Sequence, residues 1–521
     1  MHTNKNETNF SISNLKNSVF ATSLVAFSMV VALLTYGYEI TDFSLSIDEE
    51  LHSFNSRSWL TWISQGRWGM GVLTYIFPDQ FSTIPFLPTF MFAIGLATSA
   101  VILSKIFTNS REGAVVFTGV FVSSPIWLHI GEFNTLSWGL SVGLVVTAVA
   151  IRLINIGGSK SGVIAGICVG FSLAIYQALF ILFLTFTLLL CIKNEFCLAE
   201  NRKSTFFHRN TLLFVDLFKS ITIALAVYFF MNQVFMYLSG SSLSYLNNFV
   251  NFSVYTSNDA GVAIKKVIHQ TKGLIIGTDP TFLGLGATSL ILFWIGIAFA
   301  VKTLLYSRVS IITKTYISAL SMGILLLAVL LIIISAGTIP TRALIVFPVL
   351  YATLSAFLFQ YKNFQKLLWI MFGGMLFANI YIANSLFYAD QVARQRDLLM
   401  ATRLIDKIED VGRGVFGEKI PLVIVGNWQH ELGGPALRVE IFGDSFFEHD
   451  GGNSYRVAAY LRLLGCKGLT PLPITEVQNE LSNIDLHPSW PAKGSVFKGK
   501  NAVVVKLSAP SYQQLLILPS P

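Results

Sequence analysis

Long apolar runs recur through the first three quarters of this 521-residue chain, and they constrain its fold more than any other feature. A run of about 20 residues almost free of charge is long enough to cross a bilayer as a helix. Lipid offers no partners to backbone N–H and C=O groups, so such segments must satisfy them internally. The runs fall at 19–38, 85–107, 114–130, 136–154, 163–176, 178–192, 215–238, 281–301, 315–336, 344–360 and 367–388, which predicts eleven transmembrane helices. The stretch 162–192 is long enough for one tilted span, but basic residues flank both ends, so we read it as a hairpin turning near Tyr176-Gln177. Only 12% of residues are charged, roughly half the share in a soluble domain, which excludes an ordinary cytosolic enzyme. No long basic run points to nucleic acid. The four cysteines have neither disulfide nor zinc spacing.

Charge placement orients the bundle. With the N-terminus in the cytoplasm, the cytoplasmic loops and flanks hold 16 basic against 5 acidic residues, and the opposite loops before residue 389 hold 6 against 9. This satisfies the positive-inside rule. Two opposite-side loops are long, 39–84 and 239–280. In the first, Leu51–Trp68 is amphipathic and rich in Trp, and is expected to lie as a helix in the membrane interface. In the second, 261–275 is expected to lie along the surface. From residue 389 charged residues become common and apolar runs shorten. We therefore divide the chain into a transmembrane domain, 1–388, and an α/β domain, 389–521, outside the membrane on the side opposite the N-terminus. The tail reads as a polar helix over Asp390–Val411, strands at Pro421–Val425, Arg438–Phe442 and Ala502–Leu507, and a helix over Ser454–Leu464 that ends at Gly465. The fold class is thus a polytopic α-helical membrane protein with a C-terminal α/β domain on the far side, which is the periplasm if the source is a bacterium with an inner membrane.

The chemistry-bearing residues gather on that opposite side. Asp48, Glu49 and Glu50 stand in an acidic loop directly after the first run, where crowding and desolvation raise carboxyl pKa values. A carboxylate there suits general-base work on a hydroxyl, and a solvated acidic loop is the plainer alternative. Arg67, flanked by Gly66 and Trp68, suits bidentate phosphate binding or an interfacial anchor. Lys265, His269 and Lys272 share one edge of a helix, either facing a phosphate or meeting lipid headgroups. Arg342 is the lone charge of a short turn. His129 and Glu132 have the spacing of half a metal site, but spacing supplies no further ligands, so no metal site is assigned and a divalent metal is left open. In the tail, Trp428-Gln429-His430-Glu431 and the segment from Phe442 through Asp444 and His449 to Asp450 combine aromatic faces with polar groups, as sugar binding requires. An ordinary small-domain core would use the same residues. No glycine-rich phosphate loop occurs, which argues against a nucleotide donor.

Taken in order, Ser46-Ile47-Asp48-Glu49-Glu50-Leu51, Ser64-Gln65-Gly66-Arg67-Trp68, Ile175-Tyr176-Gln177, Pro340-Thr341-Arg342 and Ile441-Phe442-Gly443-Asp444-Ser445-Phe446-Phe447 resemble the GtrII-like bacterial serotype-converting glucosyltransferases. The resemblance runs over most of the chain, and its specificity lies in the order of short motifs. It implies a GT-C membrane glycosyltransferase of the bacterial inner membrane. Such an enzyme takes glucose from undecaprenyl phosphate and adds it to O-antigen repeat units of lipopolysaccharide on the periplasmic side. No cofactor is expected, and the resemblance implies partnership with a donor-synthesising transferase and a small flippase. The acidic residues of the family map onto Asp48 and Glu49, with Glu50 a third candidate. Arg67 and Arg342, with Lys265, His269 and Lys272, are then expected around the donor phosphate, and Trp68, Trp428, Asp444 and His449 around the acceptor. Two rivals stay open: a lipid-linked oligosaccharide flippase or transporter, although the runs lack the mid-membrane charges of a carrier, and an O-antigen polymerase.

Overall fold

The computed structural model describes residues 5–54, 58–77, 83–200, 206–241, 251–307, 309–413, 419–428, 437–481 and 484–510. In chain order the helices are α1 (Lys5–Thr41), α2 (Glu49–His52), α3 (Ser58–Ser64), α4 (Trp68–Ile76), α5 (Leu87–Phe107), α6 (Arg111–Ser123), α7 (Leu128–Gly131), α8 (Asn134–Ile156), α9 (Ser159–Ile175) and α10 (Ala178–Glu200). They continue with α11 (Phe206–Ser239), α12 (Ala260–Ile276), α13 (Gly286–Ser289), α14 (Ile291–Tyr306), α15 (Ile311–Ile334), α16 (Val346–Phe357) and α17 (Gln365–Gly412). The tail adds β1 (Ile420–Val425), α18 (Ser454–Leu463), β2 (Leu469–Pro471), α19 (Ile474–Leu481), β3 (Val496–Lys498) and β4 (Val503–Lys506).

Among the described residues eight helices are long and apolar enough to cross a membrane, and three shorter apolar helices, α9, α14 and α16, fall on the other expected spans. The protein is a helical membrane protein. Its spans expose Phe218, Phe230, Ile311 and Ile370 outward, as lipid-facing helices do. The expected break at Tyr176-Gln177 is present: α9 stops where Tyr176 turns extended, and α10 starts at Ala178. Small residues let the helices approach closely. A Cβ on Gly166 would lie 2.8 Å from the Ile223 side chain of α11, and one on Gly95 would lie 2.4 Å from Ser141 of α8.

Four expectations are corrected. The interfacial helix over Leu51–Trp68 is instead α2, α3 and the start of α4, broken by Gly66 at a φ of 71°. Of its apolar residues, Ile63 and Trp68 are buried against Leu173, Ala174 and Tyr228, whereas Phe54 is exposed. The run at 281–301 becomes one continuous helix only from Ile291, after a short 3-10 turn and the four-residue α13. There the backbones of Gly277 and Gly286 meet so closely that a Cβ on Gly286 would fall 1.9 Å from the Gly277 carbonyl oxygen. The polar helix 390–411 is not a separate element, because the last span continues through it as the 48-residue α17. Hence the boundary drawn at 389 falls inside one helix. Finally, 438–442 is no strand. Glu440 takes a φ of 51°, and only an isolated bridge links Val439 to Phe442.

The tail forms a four-stranded sheet in the order β2-β1-β4-β3. The pairs β1–β2 and β1–β4 are parallel, with Leu422 opposite Val503, and β3 runs antiparallel to β4. Parallel strands are covered on both faces. One face packs on α18 and on Met400, Ala401, Leu404 and Ile408 of α17. The other packs on Val477 and Leu481 of α19.

α17 anchors this unit with three polar residues, Asp390, Arg394 and Asp397, spaced for one helical face. Asp390 accepts from Gly443 N at 2.6 Å. Asp397 accepts from Phe446 N at 3.1 Å and from the Ser445 hydroxyl, and it pairs with Arg394 at 3.2 Å. Arg394 lies 4.0 Å over the Phe446 ring and donates to the Asp444 carbonyl.

Candidate active site

The three candidate carboxylates of the first loop part company. Asp48 precedes α2 with a left-handed φ of 85°, a conformation that costs a non-glycine residue energy unless neighbours hold it. Arg456 of α18 holds it. One guanidinium bonds Asp48 at 2.7 Å, Glu50 at 2.6 Å and Asp450 at 2.6 Å. The Glu50 side chain is fully enclosed, whereas 43% of the Asp48 side chain is exposed. Glu49 turns the other way, into the helices. It accepts from the Ser46 N–H and hydroxyl and from Asn134 N, each at 3.0 Å. Burial outweighs those bonds and pushes the Glu49 carboxyl up to about 8.

The Glu49 shift has a signed consequence. The folded protein holds a proton there that the unfolded chain releases near pH 4.5, so this group destabilises the fold as pH rises through 4.5 towards 8. A thermal melt series in detergent is expected to show melting temperature falling over that range, with Glu49→Gln flattening the fall by roughly several degrees. Equal slopes for both proteins would refute the assignment.

Behind Glu49 lie Glu39, Glu132 and Asp390, all buried. Burial and then the facing Asp390 carboxyl raise Glu132 well above the usual carboxylate range.

Tyr176 touches both the Arg67 guanidinium and the Arg342 backbone. The Arg67 guanidinium stacks 5.1 Å over the Tyr176 ring and 5.6 Å over Trp62, and its Nε donates to Gln177 at 3.2 Å. The Tyr176 hydroxyl donates to the Arg342 carbonyl at 3.3 Å, and the Arg342 guanidinium lies 4.6 Å over Phe133. Phe133 adjoins Asn134, the Glu49 partner, so arginines and carboxylates occupy the same end of the bundle.

A cavity of about 620 Å³ opens nearby, lined by Lys265, Lys266, His269 and Gln270 of α12, by Asp279 and Thr341, and by Glu440 of the tail. The expected basic edge thus faces a cavity through Lys265 and His269, while Lys272 lies exposed outside its lining. His129 is enclosed behind the cavity wall. It hydrogen-bonds Thr281 at 2.9 Å through Nε2, and its Nδ1 lies 3.2 Å from the Glu440 carboxylate, so it is not paired with Glu132. Burial raises Glu440, but the His129 and Thr341 bonds win and bring it down to about 2. Among the described residues no group of three His, Cys, Asp or Glu is arranged to hold a metal.

The tail candidates divide as well. Asp444 accepts from His449 at 2.6 Å. Burial opposes both charges, but the bond prevails, lowering the Asp444 pKa and raising that of His449. The other nitrogen of His449 lies 3.6 Å from Asp450. Asp444, His449, Asp450, Arg456 and Asp48 therefore form one continuous polar chain across the two parts of the protein. Trp428 packs half-buried beside the tail core, while Gln429, His430 and Glu431 lie outside the described residues. Trp68 is a packing residue: its indole N–H donates to the Tyr228 carbonyl at 3.3 Å and its ring stacks on Phe235. Sequence reasoning missed Arg456 and the anchors Asp390, Arg394 and Asp397. The one available signal was an arginine inside the apolar stretch of α18.

No curated protein and no solved structure matches the chain. The profile described as "Glucosyl transferase GtrII" matches residues 37–359, from the end of α1 through α16. That span holds Asp48, Arg67, the α12 cavity edge and Arg342, so the chain belongs to the GtrII glucosyl transferase family and is a membrane glucosyltransferase of O-antigen modification.

Proposed function

We propose that the enzyme moves glucose from a polyprenyl-phosphate carrier, undecaprenyl phosphate, to O-antigen repeat units of lipopolysaccharide, on the periplasmic side of the bacterial inner membrane. The N-terminus then lies in the cytoplasm, and the sheet-bearing tail in the periplasm. The observation that carries the mechanism is the exposure of Asp48. It is the one carboxylate of the three that an acceptor hydroxyl can approach, while Glu49 and Glu50 are enclosed. Asp48 takes the hydroxyl proton as the acceptor oxygen attacks the anomeric carbon. The bond from that carbon to the phosphate oxygen breaks, and polyprenyl phosphate leaves. Arg67 and Arg342, with Lys265 and His269 along the cavity, offset the charge gathering on the phosphate, an effect strengthened where water is sparse. Trp428, Asp444 and His449 lie on the tail side, where a sugar chain has aromatic and polar surface to rest on. The reaction as drawn uses no cofactor. A separate transferase and a small flippase supply the glucosylated carrier on the correct face.

Reconstitution tests this reading. Vesicles holding the protein, glucosyl undecaprenyl phosphate and lipopolysaccharide are expected to yield repeats heavier by one hexose, detected by mass spectrometry, with UDP-glucose inactive as sole donor. A change in chain length without added hexose would mark a polymerase. Carrier crossing the vesicle membrane with no product would mark a flippase. Either result overturns the proposal.

A further inference from the structure

We infer that Arg456 is a positioning residue for glucosyl transfer, so that the tail, outside the family match, supplies a working part of the active site. The inference rests on the reading of Asp48 as the base.

Three observations lead to it. The family match ends at residue 359, yet α2 packs directly on α18 of the tail. Arg456 is itself buried, with 9% of its side chain exposed, and spends three nitrogens on three carboxylates, two from the first loop and one from the tail. A guanidinium removed from water and forked among carboxylates fixes geometry as well as charge, which an ammonium on a flexible stem does not. Third, Asp48 holds a left-handed backbone with no side-chain cap of its own. The Arg456 bond to Oδ1 is what keeps its carboxylate at the rim of the site. Glu50 and Asp450 brace the same guanidinium from either side, so its position is set before any substrate arrives. Near-attack alignment governs turnover more than affinity, and small misplacement of a reacting group costs on the order of 100-fold.

The test uses full-length protein in vesicles, with glucosyl undecaprenyl phosphate and lipopolysaccharide as substrates. Arg456→Gln is expected to lower kcat about 100-fold while leaving KM for both substrates within about threefold. Arg456→Lys is expected to recover only a small part. Arg456→Ala is expected to be rescued by added guanidinium and not by ammonium, a readout that general loss of folding would not give. In a double-mutant cycle, Arg456→Gln is expected to add little to Asp48→Asn. Wild-type kcat in Arg456→Gln, with Asp48→Asn inactive, overturns the positioning role and leaves the base assignment standing. A loss of activity with no guanidinium rescue and full additivity with Asp48→Asn overturns it as well. Wild-type activity in Asp48→Asn overturns the base assignment itself and, with it, this inference.

Discussion

Asp48→Asn is expected to reduce the rate of glucosylation about 1,000-fold, within the range general-base catalysis contributes, while the protein still folds and inserts. The amide is nearly isosteric and its oxygen still accepts from Arg456, so the loop keeps one of its ties. What it loses is the capacity to take a proton. The contrast with the neighbouring residue sharpens the test. Glu49 is enclosed and bonded to Ser46 and Asn134, so Glu49→Gln is expected to retain activity within about tenfold while altering stability with pH. Initial rates in vesicles, normalised to folded protein by gel filtration, decide it. If Glu49→Gln is the inactive variant and Asp48→Asn the active one, the roles are reversed and the exposure argument fails.

The largest stability effect is expected from Asp397→Ala. The side chain is fully enclosed and serves the Ser445 hydroxyl, the Phe446 N–H and the Arg394 guanidinium at once. Removal leaves a buried cation and a buried amide without that partner, and breaking such a pair from one side costs about 3–5 kcal/mol. The cost falls on the contact between α17 and the 442–446 segment, so the tail should loosen before the helices of the bundle do. Limited proteolysis is expected to cut the tail of the variant well before that of the parent, while the span 1–388 stays protected in detergent. Asp397→Asn, which keeps two acceptor contacts, should lie between the two. Equal cleavage rates for parent and Asp397→Ala would show that the anchor is dispensable.

Much of the architecture was legible in the sequence because lipid makes the rule simple. A segment of about 20 apolar residues must be a helix, and Val19–Tyr38, Pro85–Phe107 and Leu136–Ile154 each became one. The strands at 421–425 and 502–507 and the helix from Ser454 were readable for a similar reason, since a short apolar run beside polar residues has one way to be buried. What failed were elements whose partner lies far along the chain. The Leu51–Trp68 pattern is amphipathic, but Ile63 and Trp68 of its apolar side packed on α9 and α11, and periodicity is the same whether an apolar side meets protein or lipid. Glu440 belonged to an apparent strand until its contacts with His129 and Thr341 bent it into a turn.

The site shows the same division. Local crowding marked Asp48, Glu49 and Glu50 as a group, and the sequence alone determined that these carboxylates follow directly after the first apolar run. It did not determine which of them faces solvent, because that depends on a partner 406 residues away, the separation of Glu50 from Arg456. Only the tertiary structure decided that Arg456 gathers Asp48, Glu50 and Asp450, that Asn134 draws Glu49 inward, and that Tyr176 links the Arg67 guanidinium to the Arg342 backbone. Burial and charge pairing are properties of the packed chain. Neighbouring residues in sequence share a backbone, but they do not share an environment until the fold assigns one.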